Sequence, residues 1–243
     1  MSALLTVAGL TKSFGGVRAL DDCGFEVAEG AVSALIGPNG SGKTTAFNVI
    51  TGYQAADSGS LSFRGRVVRR PDPCRLQRLG LARTFQQPRV FPGLSVLENV
   101  VLGRPQPWRA LLRRRVPGAD RRRAEELLEE FGLAAHAERP AARLSYGQRR
   151  LLEFASVLMA DPALILLDEP TAGVNPVMVE TMERHIRRRY DEGVTFLIVE
   201  HEMRFVMRLC DPVIVLDHGR PIACAAPTAV QNDPRVLDAY LGE

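Results

Sequence analysis

The spacing of apolar residues changes twice along the chain. Near the amino terminus, the segments LLTVAGL, CGFEVAEG and VSALIG are short and mix apolar with polar positions, which predicts strands joined by turns. The segment TTAFNVIT is typical of a helix that stops at Gly52. The segment SLSFRGRVV predicts a further pair of strands around a Gly turn. This part of the chain is therefore predicted to be rich in strands.

Helical spacing follows, interrupted by Pro and Gly. One clear helix is predicted to begin near Asp120, with an apolar face formed by Ala124, Leu127, Leu128 and Phe131. Short continuous apolar runs then return in ALILLD, VTFLIVE and PVIVLD, separated by the predicted helices PVMVETMERHIRRRY and EMRFVMRL. Such runs are typical of buried parallel strands, so the pattern predicts an α/β core.

We therefore predict one domain over residues 1–243, in which a helical subdomain is inserted into the core. The core is assigned to residues 1–87 and 160–243, and the helical subdomain to residues 88–159. A length of 243 residues and a hydrophobic fraction of 46% suit such a globular protein. No apolar run approaches the ~20 residues of a spanning helix, so any membrane role is expected to be peripheral.

Other bulk features predict a cytosolic protein. The amino terminus lacks the features of a signal peptide. The four cysteines are scattered without a CxxC pair, which favours reduced thiols over a metal site. A net charge of +3 does not require a polyanionic partner.

The segment GPNGSGKTT matches the phosphate-loop pattern G-x-x-x-x-G-K-[ST], and it lies between a predicted strand and a predicted helix. Glycines let backbone N–H groups turn toward phosphate oxygens, and the start of the helix adds positive potential. Lys43 is expected to neutralise the terminal phosphates, and Thr44 to offer its hydroxyl to Mg²⁺. The alternative is a Gly-rich turn with an incidental Lys. The predicted nucleotide-binding residues are Gly37, Pro38, Asn39, Gly40, Ser41, Gly42, Lys43, Thr44 and Thr45.

Two carboxylates follow the predicted strand LILLD. In open α/β sheets, ligands bind at the carboxyl ends of the strands. Asp168 fits a contact to Mg²⁺ through water, and Glu169 fits a general base that orients or deprotonates a water aimed at the γ-phosphate. The alternative is an acidic pair that caps a helix before Pro170.

His201 ends the next buried strand and is a candidate donor to a γ-phosphate oxygen, or else a structural histidine. Its neighbours Glu200 and Glu202 are expected to be surface charges. Gln86 lies where the core gives way to the helical subdomain, and its amide oxygen suits Mg²⁺ or the attacking water, although a loop Gln is often only solvated. Phe14, before two glycines, either belongs to the core or stacks on an adenine ring.

The segment LSYGQ predicts a capped helix start. Ser145 is a good N-cap, and Gly147 permits close approach of another backbone. An ordinary capped helix would have the same features, and the apolar stripe LLEFASVLM that follows is core in both interpretations. Because the motif is intact and lies between the helical subdomain and the acidic strand, a second phosphate-binding role is the sharper hypothesis.

In this order, the motifs resemble those of the ATP-binding subunit of an ABC transporter. GPNGSGKTT is similar to that family's Walker A motif and LILLDE to its Walker B motif with the catalytic glutamate; LSYGQ resembles the signature motif. Gln86, His201 and Phe14 match the Q-loop, the switch histidine and the adenine-stacking aromatic. The resemblance implies an α/β P-loop NTPase core of ABC type, with an antiparallel β subdomain and an inserted helical subdomain.

The same resemblance implies ATP and Mg²⁺ as ligands and a head-to-tail dimer with a second ABC ATPase subunit, identical or paralogous. In that family the signature of one subunit caps the ATP held by the phosphate loop of the other. The implied capping residues are Ser145, Gly147, Gln148 and Asn175. Tyr146 replaces the usual second glycine of the signature, and Asn175 stands where an Asp is frequent.

RTFQQPRVFPGLSVLENV, EPTAGVNP, VEHEMRFVM and DPRVLDAYLGE resemble the importers of branched-chain amino acids, and urea and short-amide importers share much of them. The implied partners are integral membrane permeases and, indirectly, a periplasmic solute-binding protein. The implied place is the inner face of the cell membrane. Val90, Phe91, Leu94 and Val96 either line the groove for a permease or belong to the core.

Two rival classes are weaker. A soluble ABC ATPase acting on nucleic acid or ribosomes would use the Arg clusters at 113–115 and 121–123, but acidic residues follow them at once and predict a mixed, solvated helix face. We therefore predict no nucleic-acid partner. A P-loop kinase or GTPase would leave LSYGQ unexplained, and a GTPase would need an N-K-x-D motif that the sequence lacks.

Overall fold

The computed structural model describes residues 2–105 and 117–241, and these form two sheets. The first sheet is antiparallel and contains β1 (Ala3–Phe14), β2 (Val17–Ala28), β4 (Ser58–Phe63) and β5 (Arg66–Val67). Its strand order is β2-β1-β4-β5. The predicted strands near the amino terminus, and the strand pair around a Gly turn, are confirmed.

The second sheet is mostly parallel and lies at the centre of the molecule. It contains β3 (Val32–Ile36), β6 (Leu81–Arg83), β7 (Leu164–Asp168), β8 (Thr195–Val199), β9 (Val213–Asp217) and β10 (Arg220–Ala225), in the order β10-β9-β3-β8-β7-β6. Only the β9–β10 pair at one edge is antiparallel. Every residue of β3, β7 and β8 is buried, as expected for parallel strands covered on both faces.

Helices cover both faces of this sheet. They are α1 (Lys43–Ile50), α2 (Pro73–Leu79), α3 (Val96–Leu102), α4 (Gly118–Glu130), α5 (Tyr146–Leu158), α6 (Pro176–Asp191), α7 (Met203–Leu209), α8 (Pro227–Gln231) and α9 (Pro234–Leu241). Both α3 and α5 begin with a capping box, formed by Ser95 with Glu98 and by Ser145 with Gln148. None of the described helices is long and apolar enough to span a bilayer.

The parallel sheet separates two apolar clusters because neighbouring strand residues point to opposite faces. Ala34 and Ile36 pack into the cluster that contains the buried faces of α3, α4 and α5. Leu35, between them, packs into the cluster shared with α1 and the antiparallel sheet. The predicted apolar face of α4 is confirmed, since Ala124, Leu127, Leu128 and Phe131 are all buried.

The segment around residues 90–96 contributes to the core and to the surface. Val96 is fully buried and Val90 packs against the core, whereas Phe91 is 58% exposed. On α4, Arg121 pairs with Glu125 and Glu138, so the predicted mixed face is present there. The Arg cluster at 113–115 lies outside the described residues.

Candidate functional site

The phosphate loop connects β3 to α1, and two of its glycines are required by their surroundings. Gly37 has a φ of 149°, and a Cβ there would overlap the backbone oxygen of Leu216. Gly42 has a φ of 102°, and a Cβ there would overlap the backbone oxygen of Ala19. The loop is therefore pressed against two neighbouring strands and leads directly into the amino terminus of α1, where free N–H groups attract anions.

The side chain of Lys43 folds back into this loop. It is 6% exposed, and its Nζ donates to the backbone oxygens of Gly37 (2.8 Å) and Pro38 (2.7 Å) and lies 3.2 Å from Ser41 Oγ. Thr44, the next residue, is exposed, and Thr45 is half-buried. The ammonium group thus lies inside the loop whose N–H groups are expected to hold phosphate.

Asp168 ends β7 and forms a buried ion pair that the sequence analysis missed. Arg83 Nη2 lies 2.6 Å from Asp168 Oδ2, and both side chains are 5% exposed. Arg83 also donates to Asn48 Oδ1 (2.7 Å) and Thr51 Oγ1 (3.0 Å) on the α1 side. The guanidinium therefore ties the strand that carries the acidic pair to the helix that follows the phosphate loop. An arginine three residues before Gln86 was the available signal.

Three predicted catalytic side chains meet in one hydrogen-bonded group. Gln86 Nε2 donates to Glu169 Oε2 over 2.8 Å, and His201 Nε2 lies 3.0 Å from Glu169 Oε1. They converge because β6, β7 and β8 are neighbours in a parallel sheet and end at the same edge. Glu169 has a φ of 47°, an unfavourable backbone conformation for a glutamate that is retained here at the centre of the group.

The expectation that Glu200 is a surface charge is wrong. Its side chain is 3% exposed, and its Oε1 accepts hydrogen bonds from the backbone N–H (2.8 Å) and hydroxyl (2.6 Å) of Thr171. Its Oε2 accepts from the backbone N–H of His201 at 3.0 Å. The buried Glu200 carboxylate therefore links Thr171, in the segment after Glu169, to His201, which contacts Glu169. Glu202 is exposed, as predicted.

Ser145 and Gln148 of the signature segment are hydrogen-bonded to each other. Ser145 Oγ accepts from the Gln148 backbone N–H, and Gln148 Oε1 accepts from the Ser145 N–H. Gln148 Nε2 also lies 3.3 Å from His136 Nε2. A Cβ on Gly147 would lie 3.0 Å from Met178, so this glycine is closely covered by α6. Gln86, Glu169 and His201 are thus brought together, whereas Ser145 and Gln148 bond to each other and Gln148 also contacts His136.

Tyr146 and Asn175 also have definite structural roles. Tyr146 Oη donates to the backbone oxygen of Gln86 at 3.4 Å, and a Cβ on Gly173 would lie 3.3 Å from the Tyr146 ring. Asn175 is the N-cap of α6, where its Oδ1 accepts from the Met178 N–H at 2.9 Å. Tyr146 therefore contacts Gln86, and Asn175 caps the helix that covers Gly147.

Phe14 ends β1 and is 47% exposed, with Lys12 Nζ 5.4 Å from the ring centroid. This exposure leaves the ring accessible for stacking and excludes its assignment to the core. A cleft of about 640 Å³ lies between the phosphate loop and α9. Its walls include Asn39, Ser41 and Arg235.

A phosphate loop between β3 and α1, with an acidic pair at the end of a parallel strand of the same sheet, defines a P-loop nucleoside triphosphatase. Comparison with known protein families identifies the family within this class. The model of the ABC transporter family matches residues 20–172, and the model described as branched-chain amino acid ATP-binding cassette transporter matches residues 220–243. The chain belongs to the ABC transporter family, as one of its ATP-binding and ATP-hydrolysing cassettes.

Individual proteins agree over the whole length. The chain is similar to the high-affinity branched-chain amino acid transport ATP-binding protein LivG of Salmonella typhimurium, with 37% identity over 99% of this chain and 98% of that protein. It resembles the crystal structure of the ADP conformation of an ABC transporter cassette, with a TM-score of 0.89, 35% identity and full coverage of both chains. A dimeric cassette with bound ADP and Pi is also similar, with a TM-score of 0.79, 25% identity and coverage of 92% of this chain and 98% of that one.

Proposed function

We propose that the chain hydrolyses ATP to power the uptake of branched-chain amino acids through separate membrane permease subunits. Support for the cargo comes from the full-length similarity to LivG and from the carboxyl-terminal family match. The observation that carries the chemistry is the hydrogen-bonded group of Gln86, Glu169 and His201. It places a carboxylate between two polar partners at the sheet edge where β3 leads into the phosphate loop.

Glu169 acts as the general base in this proposal. Its carboxylate takes the proton of the attacking water, while the Gln86 amide and the His201 imidazole hold it in one orientation. His201 also acts as a hydrogen-bond donor that stabilises the γ-phosphate. Lys43 and the loop N–H groups bind the phosphates, and Phe14 stacks on the adenine.

The oxygen donors near the phosphate loop fit Mg²⁺, which prefers hydroxyl, amide and carboxylate oxygens and keeps several waters. Thr44, Gln86 and Asp168 would hold it. The ion pair with Arg83 uses Asp168 Oδ2, and Oδ1 accepts no hydrogen bond from any residue of the described parts of the chain. When bound, the ion supplies charge neutralisation for the phosphates.

A second ABC ATPase subunit completes each site in this proposal. Ser145, Gly147, Gln148 and Asn175 of one subunit cap the ATP bound to the phosphate loop of the other. The capping box of Ser145 and Gln148 supports this, because it preforms the helix start, and the amino terminus of a helix favours a bound anion. The exposed Phe91 supports a contact with a permease. The cassette then works on the inner face of the cell membrane.

The chemistry is tested with Glu169→Gln, which preserves the shape of the site and removes the base. We expect ATP to bind and to hold two copies together, while turnover falls at least about 100-fold. Glu129→Gln, at an exposed position on α4, is the matched control. Normal hydrolysis by Glu169→Gln would refute the assignment of the base.

The cargo is tested in cells that lack the gene for this chain. We expect uptake of labelled leucine to be restored by the wild-type chain and not by Glu169→Gln. Labelled urea, measured in the same cells, is expected to be unaffected. Restoration of urea uptake in place of leucine uptake would overturn the proposed cargo and leave the ATPase assignment intact.

A further inference from the structure

One face of α5 is hydrogen-bonded to the backbone around Gln86. Tyr146, Arg150 and Glu153 are spaced by four and three residues, so they lie on the same side of this helix. That side faces residues 85–89, which we call the Gln86 segment. All three side chains hydrogen-bond to this segment, and every bond is made to its backbone.

Arg150 and Tyr146 hold the carbonyl groups. Arg150 Nη1 donates to Phe85 O at 2.8 Å, and its Nη2 donates to Gln86 O. Tyr146 Oη lies 3.4 Å from the same Gln86 oxygen and accepts from Arg150 Nη2 at 2.9 Å. Arg150 is 2% exposed, so its planar fork is committed to these partners and shielded from water.

Glu153 holds the N–H groups of the same segment. Its Oε1 accepts from Phe85 N at 3.3 Å and from Arg89 N at 3.0 Å, and the residue is 5% exposed. The Arg89 guanidinium carbon lies 3.6 Å from the centroid of the Phe85 ring, which closes the segment on itself. Donors and acceptors of the Gln86 segment are thus both occupied by α5.

The hydrogen-bond partners of the backbone change from β7 to α5 between Thr84 and Phe85. Thr84 is fastened to β7, because its N–H donates to Leu166 O at 2.9 Å and its hydroxyl accepts from the Asp168 N–H at 3.4 Å. At Phe85, Gln86 and Arg89 the backbone is instead hydrogen-bonded to side chains of α5. Gln86 therefore reaches Glu169, at the end of β7, from a backbone whose position is set by the signature helix.

We propose that Tyr146, Arg150 and Glu153 are positioning residues that hold Gln86 against Glu169, so that a contact made at Ser145 is transmitted to the catalytic group. Ser145 is the N-cap of the helix that carries all three side chains, and one rigid element joins it to the Gln86 segment. This inference rests on the proposed function, since Gln86 matters only if ATP is hydrolysed at Glu169.

The test compares steady-state ATP hydrolysis and ATP binding for the purified full chain and its variants. Arg150→Lys keeps the charge but cannot reach both carbonyls. We expect its kcat to fall between about 10-fold and about 100-fold, while Kd for ATP changes by less than about twofold. Glu153→Ala is expected to lower kcat in the same way, and Glu153→Gln, which keeps the Oε1 acceptor, is expected to restore most of it. Arg122→Lys, at an exposed position on α4, is the control.

A double variant separates positioning from a general loss of structure. If Arg150 acts through Gln86, then Arg150→Lys has no further effect on kcat once Gln86→Ala is present. Equal kcat values for the single Gln86→Ala and the double variant support the proposal. Multiplying losses, or a lower ATP affinity at unchanged kcat, overturn it. Absence of ATP hydrolysis by the wild-type chain would instead overturn the proposed function itself.

Discussion

Replacing Glu153 by Gln isolates the free-energy cost of a buried carboxylate in α5. Burial raises the pKa of Glu153 from 4.5 to about 7, and the N–H groups of Arg89 and Phe85 together with the charges of Arg150 and Arg89 oppose that rise. The unfolded chain therefore loses this proton near pH 4.5, whereas the folded chain keeps it until about pH 7. The stabilising contribution is fully present below pH 4.5 and is lost as the pH rises through about 7.

The difference between the two pKa values sets the size of the effect. From 4.5 to about 7 it corresponds to about 3 kcal/mol of unfolding free energy. Between about pH 5 and about pH 8, the part that is lost amounts to roughly 2.5 kcal/mol. Glu153→Gln does not titrate, and its Oε1 can still accept from both backbone N–H groups, so the variant should lack this component.

The assay is urea unfolding followed by circular dichroism at the two pH values, without nucleotide. We expect stability to decline with pH more steeply in the wild type than in Glu153→Gln, by the amount given above. His185, whose pKa is lowered by burial, gains stability over the same range, but it is present in both proteins and cancels in the difference. Glu129→Gln should follow the wild type. Identical pH dependence in wild type and Glu153→Gln would refute the reasoning.

Three further predictions concern the phosphate loop, the strand edge and the adenine. Gly37→Ala should lower the unfolding free energy by about 1–3 kcal/mol and weaken ATP binding, because its Cβ overlaps a backbone oxygen; Gly93→Ala, where the space is open, should be neutral in the same urea and binding measurements. Glu200→Ala should lower kcat at least about 10-fold with little change in ATP affinity, because Thr171, in the segment after Glu169, loses the acceptor of its N–H and hydroxyl groups. Steady-state ATP hydrolysis and ATP binding measure the two quantities. Phe14→Ala should weaken ATP binding by about 1–3 kcal/mol in calorimetry, and unchanged affinity would exclude stacking.

The local sequence pattern was sufficient to predict the main strands and helices and the motifs at their ends. The continuous apolar runs could be assigned to parallel strands because only a sheet covered on both faces buries every residue. Because ligands bind at the carboxyl ends of strands in an open α/β sheet, Asp168 and Glu169 could be assigned to the nucleotide site, and His201, at the end of another buried strand, could be named as a candidate donor to the γ-phosphate. The strand order, in which β7 and β8 are neighbours, came from the structure. The glycine pattern of the phosphate loop was equally informative, because its backbone conformations exclude other residues.

Only the tertiary packing decided which charged side chains are buried and which residues they pair with. Glu200 and Glu202 flank His201 in the same polar stretch, yet only Glu200 is buried, because the segment at Thr171 packs over it. The Arg83–Asp168 pair and the hydrogen bonds from α5 to the Gln86 segment join residues that are at least 60 positions apart. Burial and hydrogen-bond partners of this kind depend on how elements that are distant in sequence pack together. The spacing of residues within one element does not predict that packing.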